Sequence, residues 1–280
     1  MEIRQDSITA NGITFGTLTC GSGPLALCVH GFPDTAHTWR HLLPELAIAG
    51  FRAVAPWTRG YSPTAVPADG DYRITTLAAD ANALHETLGG DADAVLVGHD
   101  WGAMAAYAAA AGAPERWRRL VTVAVPPPAV AAAAFLTYAQ LKRSFYIFLF
   151  QTGLAELVVP GDDMAFIDGL WRDWSPSYDA AEDVAHVKAS LRDPANLKAA
   201  IGYYRAMFRG EGLSSASAPQ PTLYLHGAAD GAFGVEGTDG TEAELATGSR
   251  VEILDGVGHF LHLERPAEVN RLIVDWLTTP

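Results

Sequence analysis

Cysteine is nearly absent: Cys20 and Cys28 are the only two among 280 residues, and neither stands at metal-ligating spacing from a histidine. That excludes a disulfide framework and a zinc site, and leaves both thiols as small apolar residues on or beside early strands. Basic charge is also short. Nineteen Lys and Arg face 32 Asp and Glu, a formal net charge of −13, without the basic clusters that nucleic acid or an anionic membrane would demand. The plain meaning of the acidic excess is solubility. No stretch reaches about 18 uninterrupted apolar residues, and the aromatic run Phe145-Tyr-Ile-Phe-Leu-Phe150 is too short to span a bilayer. The opening residues Met1-Glu-Ile-Arg-Gln-Asp6 carry acid without an apolar core, so no secretory signal is visible. The expectation is a cytoplasmic protein that partners neither membrane nor nucleic acid. Repeats and charge blocks are missing as well, apart from alanine runs at 108–111 and 131–134.

What is present is a globular composition, 49% hydrophobic and 18% charged, at a length that fits one large α/β domain or a core with an insertion. Residues 2–20 alternate polar and apolar around Asn11-Gly12, the signature of a hairpin. Strand and helix patterns then alternate: strands at 24–30, 51–55, 94–97 and 119–125, and helices at 38–50 and 75–88. Short apolar strands separated by helices predict a mostly parallel sheet covered on both faces. The alternation breaks at Pro126-Pro-Pro128 and resumes at Pro221. The intervening stretch is helical and aromatic in character and too long for a loop. It reads as a helical cap over the carboxyl ends of the strands, where open α/β sheets bind ligands. The expected division is therefore a core of residues 1–125 and 220–280 with a cap of residues 126–219.

The chemistry concentrates where Val95-Leu-Val-Gly-His-Asp-Trp-Gly102 runs from a β-branched strand into an alanine-rich helix. Small residues two before and two after Asp100 permit a sharp strand-to-helix turn, with the amides of the new helix aimed at that side chain. A serine there would mark an esterase or lipase; an aspartate is already ionised and attacks without a base. The ester it forms must then be hydrolysed, which calls for a histidine to activate water. His259 stands in the loop Asp255-Gly-Val-Gly-His-Phe260, between a strand at 251–254 and a helix at 266–277. Asp230 follows the strand Pro221-Thr-Leu-Tyr-Leu-His-Gly227 and is placed to orient an imidazole.

The order nucleophile, acid, base, together with His30-Gly-Phe-Pro-Asp34 and Arg59-Gly-Tyr-Ser62, resembles the α/β-hydrolase fold and, within it, the epoxide hydrolases. The resemblance covers nearly the whole chain. It implies that Asp100 attacks an epoxide carbon while two cap tyrosines protonate the ring oxygen. Tyr146, in Tyr146-Ile-Phe-Leu-Phe-Gln-Thr-Gly-Leu-Ala-Glu156, and Tyr204, in Gly202-Tyr-Tyr-Arg-Ala-Met207, stand in segments similar to the family's two. Tyr203 is the rival of Tyr204 and otherwise a pocket residue. A phenol of pKa near 10 suits a basic alkoxide leaving group. The backbone N–H groups of Phe32 and Trp101 would form the oxyanion hole, with Pro33 after a candidate cis bond. Phe32, Trp101, Trp171 and Trp174 are expected to line an apolar substrate pocket. His30 is expected to brace its loop, His99 to point away from the pocket, and His262 to pack or cap. The partners implied are a small apolar epoxide and water, with no metal or organic cofactor; the oligomeric state is left open.

Other readings stay open at this point. A haloalkane dehalogenase would use the same aspartate and histidine, Trp101, and a second halide donor for which Trp171 or Trp174 would serve. A fluoroacetate-type dehalogenase would want arginines just after the nucleophile, and Trp101-Gly-Ala-Met104 offers none. A ligand-binding protein on the same fold needs no chemistry at all. One departure from the family pattern is Trp57-Thr58 before Arg59, where an aspartate and a basic or polar residue are more usual.

Overall fold

The computed structural model describes residues 1–209 and 217–279. Eight strands form one sheet: β1 (Arg4–Ala10), β2 (Ile13–Gly21), β3 (Leu25–Val29), β4 (Arg52–Pro56), β5 (Val95–His99), β6 (Arg119–Val123), β7 (Thr222–Gly227) and β8 (Arg250–Leu254). Their spatial order is β1-β2-β4-β3-β5-β6-β7-β8. β1 pairs antiparallel with β2, and β2 antiparallel with β4; every other neighbouring pair is parallel. The hairpin turn is Asn11-Gly12, both at positive φ (45° and 78°), as a type I′ turn requires. β3, β5 and β7 are buried along their whole length, which is why they read in sequence as apolar runs rather than as alternation. Cys20 on β2 and Cys28 on β3 are buried and free.

Helices cover both faces: α1 (Leu42–Ile48), α2 (Ile74–Thr87) and α3 (Trp101–Gly112) within the first half, then seven between β6 and β7. Those seven are α4 (Pro128–Phe135), α5 (Tyr138–Arg143), α6 (Phe145–Phe150), α7 (Ala155–Val158), α8 (Gly161–Trp174), α9 (Ala181–Leu191) and α10 (Pro194–Met207). After β7 come α11 (Thr241–Glu244), α12 (Leu261–Glu264) and α13 (Pro266–Thr278), the last burying Val269, Ile273 and Leu277. The break in alternation expected from Pro126 onward is thus a run of helices. Its expected end near 219 follows a stretch, 210–216, that lies outside the described residues. Among the described residues no helix is long and apolar enough to cross a membrane.

One element departs from expectation. The helix expected over 38–50 is two pieces, a 3₁₀ turn at Ala36–Trp39 capped by the Thr35 hydroxyl, and α1 from Leu42. Pro44 explains the break. Proline has no N–H to give and its ring collides with the carbonyl four residues back, so a helix can contain it only in its first turn. Restarting at Leu42 puts Pro44 there.

The departure at Trp57-Thr58 is absorbed locally. Thr58 N donates to His30 Nε2 at 3.0 Å, and Arg59, almost fully buried, forms an ion pair with Asp80 through Nε at 2.5 Å and Nη2 at 2.6 Å. Because Nε2 of His30 accepts, Nδ1 carries the ring proton and donates to Gly31 O at 2.8 Å. Burial pushes this imidazole down to about 3, so it holds the Gly31–Pro33 loop as a neutral ring. The Phe32–Pro33 peptide is cis.

Candidate active site

Asp100 occupies the turn between β5 and α3 with φ 52° and ψ −117°, a conformation that L residues adopt only when the surroundings impose it. The surroundings here are backbone bonds on both sides: Asp100 N donates to Val123 O (3.1 Å), and Asp100 O accepts from Ala103 N (2.9 Å) and Met104 N (3.2 Å). Its carboxylate meets the Gly31–Pro33 loop, where Phe32 N donates to Asp100 Oδ1 at 2.8 Å. Gly31 makes that approach possible: a Cβ there would overlap Oδ1 and stand 2.7 Å from Trp101 N. The carboxylate is therefore seated beside the two amides, Phe32 and Trp101, expected at an oxyanion site.

His259 lies 1% exposed on the other side, Nε2 at 3.8 Å from Asp100 Oδ2. Its Nδ1 donates to Asp230 Oδ2 at 2.9 Å, and Asp230 Oδ1 accepts from Ala232 N (2.7 Å) and Phe233 N (2.9 Å). This fixes the tautomer and leaves the Nε2 lone pair without a partner. Burial opposes charge on both groups, yet the pair outweighs it: the charge and hydrogen bond of Asp230 raise the His259 pKa, and His259 holds the Asp230 carboxyl below its usual range.

Tyr146 and Tyr204 face each other edge to face, ring centroids 5.5 Å apart, and Tyr204 stands on the Trp101 indole at 5.2 Å. Burial first raises both phenols, followed by the charge of Asp100 for Tyr146 and by the Tyr146 phenol and then Asp100 for Tyr204, so they remain protonated at neutral pH. The Tyr204 hydroxyl is buried and has no hydrogen-bond partner. Asp100, Trp101, Tyr146, Tyr204 and His259 all open onto one cavity of about 450 Å³.

Other expected pocket residues lie elsewhere. Trp171 is 1% exposed, donates its indole N–H to Pro33 O at 2.9 Å and stacks on Phe260 at 3.5 Å. Tyr203 donates to Arg59 O at 2.8 Å and stacks on Tyr72 at 5.4 Å. Phe32 and Trp174 pack behind the tyrosines and His259 without lining the cavity. None of these four side chains lines the described cavity, and each is packed on neighbouring groups. His99 is turned away from the cavity, Nε2 donating to His259 O at 3.1 Å, and His262 bonds Thr38 Oγ1 at 2.5 Å while stacking on Trp39.

The walls actually used include Met104, Val125, Ile147, Met207 and Phe233. Gln140 was also missed in sequence. It is buried on α5, where Nε2 donates to Ala232 O (2.8 Å) and to Ser144 Oγ (2.9 Å), while Oε1 accepts from Gly234 N (3.1 Å). It thus brackets Phe233 and ties α5 to the loop of Asp230. A second tie comes from the end of α8: Trp174 O accepts from both Gly231 N (3.2 Å) and His259 N (3.0 Å). Ser175 Oγ accepts from Phe260 N (3.0 Å) and donates to Glu264 Oε1 (2.7 Å).

A largely parallel sheet with an aspartate at the strand–helix elbow, and acid and histidine on later loops, defines the class. The family described as alpha/beta hydrolase fold matches residues 24–266, and this chain belongs to it. The AB hydrolase superfamily protein YfhM of Bacillus subtilis is 31% identical over 98% of this chain and 98% of its own length. An epoxide hydrolase of Caballeronia sordidicola is 30% identical over 99% of this chain and 94% of its own. Among solved structures, the epoxide hydrolase of Bacillus megaterium in complex with an inhibitor superposes with a TM-score of 0.85 at 29% identity, covering 98% of this chain and 100% of that one.

Proposed function

We propose that this chain is an epoxide hydrolase that opens an apolar epoxide to a vicinal diol through an ester on Asp100. A carboxylate oxygen of Asp100 attacks one ring carbon. As the C–O bond breaks, its electron pair stays on the ring oxygen, which takes a proton from the phenol of Tyr146 or Tyr204; the phenolate regains a proton from solvent. Water then attacks the carboxyl carbon of the ester and gives its proton to His259 Nε2, whose ring Asp230 orients. The Phe32 and Trp101 amides hold the negative oxygen of the tetrahedral intermediate. Collapse expels the diol oxygen, which recovers the proton from His259, and Asp100, left as the acid with the second proton of water, releases that proton to solvent and is a carboxylate again.

What supports this reading most is the convergence of two phenols, Tyr146 and Tyr204, with the Asp100 carboxylate and His259 at one cavity. Two protonated phenols facing a carboxylate nucleophile suit an oxygen that must gain a proton as it leaves. Haloalkane dehalogenation is the weaker alternative, because the Trp171 indole N–H is spent on Pro33 O and the Trp174 ring does not line the cavity. In this reading residues 126–219 form a cap over a core of residues 1–125 and 220–280. The protein works on a small molecule in the cytoplasm, without membrane or nucleic acid; the net charge of −13 supports this.

The test is single-turnover mass spectrometry of His259→Gln with styrene oxide and, separately, 1-bromobutane. The expected result is a covalent gain of one styrene oxide on the peptide that contains Asp100. An adduct from the bromide alone would move the assignment to dehalogenation, and none from either would favour a ligand-binding role.

A further inference from the structure

Among the described residues, the lining of the cavity extends from the candidate catalytic groups toward exposed side chains. From Asp100, Tyr146, Tyr204 and His259 it runs between Met104, Ile147 and Phe233 toward Leu136 and Phe208, which are 75% and 51% exposed and mark its outer end. On the opposite side stand Phe32, Phe150 and Trp174, each 2% exposed or less, and none of them lines the cavity. Phe32 and Phe150 pack on one another, and each of the three packs on groups of the site. Phe32 meets Phe150 at 5.5 Å and Tyr204 at 5.1 Å, and Trp174 meets both Tyr146 and His259 at 5.1 Å.

From this arrangement, and resting on the epoxide reading above, we infer that the site selects terminal epoxides carrying a single uncharged, apolar arm. Ring opening demands that the carboxylate approach from behind the breaking C–O bond while the oxygen faces its proton donors. With the oxygen at the phenols and the attack from Asp100, the arm on one ring carbon extends into the cavity. A substituent directed the other way would meet the Phe32–Phe150–Trp174 wall, so that side takes hydrogen only. Close-packed aromatic side chains yield little room without displacement.

The chemistry of the arm follows from the lining. Gln140 and Ser144 are its polar side chains away from the reacting end, and Gln140 is already bonded to Ser144, Ala232 and Gly234. No Lys or Arg is found among the described lining residues. A carboxylate on the arm would be desolvated without a counter-charge, which is costly; a hydrocarbon or aryl arm is not penalised.

The test compares two isomers of equal size, 1,2-epoxyoctane and trans-4,5-epoxyoctane, by kcat/KM. The expected result is a preference for the terminal isomer of at least about tenfold, the scale on which a closed apolar wall discriminates. Equal or faster turnover of the internal isomer would overturn the single-arm assignment while leaving the hydrolase reading intact. Turnover of neither removes that reading, and this inference with it. Phe150→Leu, which thins the wall and replaces none of the candidate catalytic side chains, should raise turnover of the internal isomer relative to the terminal one; an unchanged ratio, with terminal turnover retained, counts against the wall.

Discussion

His259 Nε2 stands 3.8 Å from Asp100 Oδ2, beyond hydrogen-bond reach, while its Nδ1 is bonded to Asp230 at 2.9 Å. The ring is thus aimed at the carboxylate without being tied to it. A base that attacked the free carboxylate's proton would be useless here, since Asp100 must be ionised to react. A base that waits for water at the ester is what this spacing suits.

The pH profile follows from the same pair. His259 works as a base only when neutral, and the Asp230 charge raises its pKa. Hydrolysis of the ester therefore falls as pH drops through that raised value. Asp230→Asn removes the charge and leaves burial, which lowers the pKa, so the acid limb of kcat should move to lower pH. The plateau should fall about 10²- to 10⁴-fold. Stopped-flow measurement of ester breakdown against pH checks both.

Tyr204→Phe separates a catalytic hydroxyl from a structural one. Because this hydroxyl has no partner, removing it should leave the melting temperature unchanged or slightly raised. Ester formation should nevertheless slow by about 10²-fold or more. A loss of stability with unchanged ester formation is the opposite outcome and would return Tyr204 to packing.

Asp100→Ala should lower kcat by about 10⁴-fold or more and abolish the covalent adduct. Gly31→Ala should have nearly the same effect on rate although it alters no reacting group, because its Cβ overlaps Asp100 Oδ1 and crowds the Trp101 amide. Steady-state kinetics alongside circular dichroism will show whether the loss occurs in a folded protein.

Trp171→Phe should act on stability and hardly on KM. The indole bond to Pro33 O is buried, so its loss costs about 1–3 kcal/mol, read as a lower urea midpoint. A large rise in KM would instead put Trp171 at the substrate.

The inner sheet was legible because β3, β5 and β7 are short apolar runs bounded by turn residues, and the hairpin because Asn11-Gly12 is the pair that a type I′ turn demands. The elbow was legible because the spacing of small residues around Asp100 is itself a steric requirement. Two features escaped for identifiable reasons. Pro44 was visible, and its meaning for the 38–50 helix was overridden by the apolar pattern around it. The cavity walls were not visible: Trp171 and Tyr203 have the composition of pocket residues, but which face of a helix meets a void depends on how seven helices pack. Gln140 has no local signal, because its three partners lie on its own helix end and more than ninety residues away.

The double acceptance at Trp174 O, which takes the amides of Gly231 and His259, bears on modular redesign. Chimeras that exchange everything between β6 and β7 replace more than the roof of the binding chamber. They would also remove an oxygen that accepts from both the acid and the base loop, so a transplanted roof that brings a carbonyl to the same point keeps a link the others lose. Diversification of this scaffold is least constrained at α4, which borders the chamber and, among the described residues, makes no hydrogen bond to either loop. It is most constrained at residues 173–175.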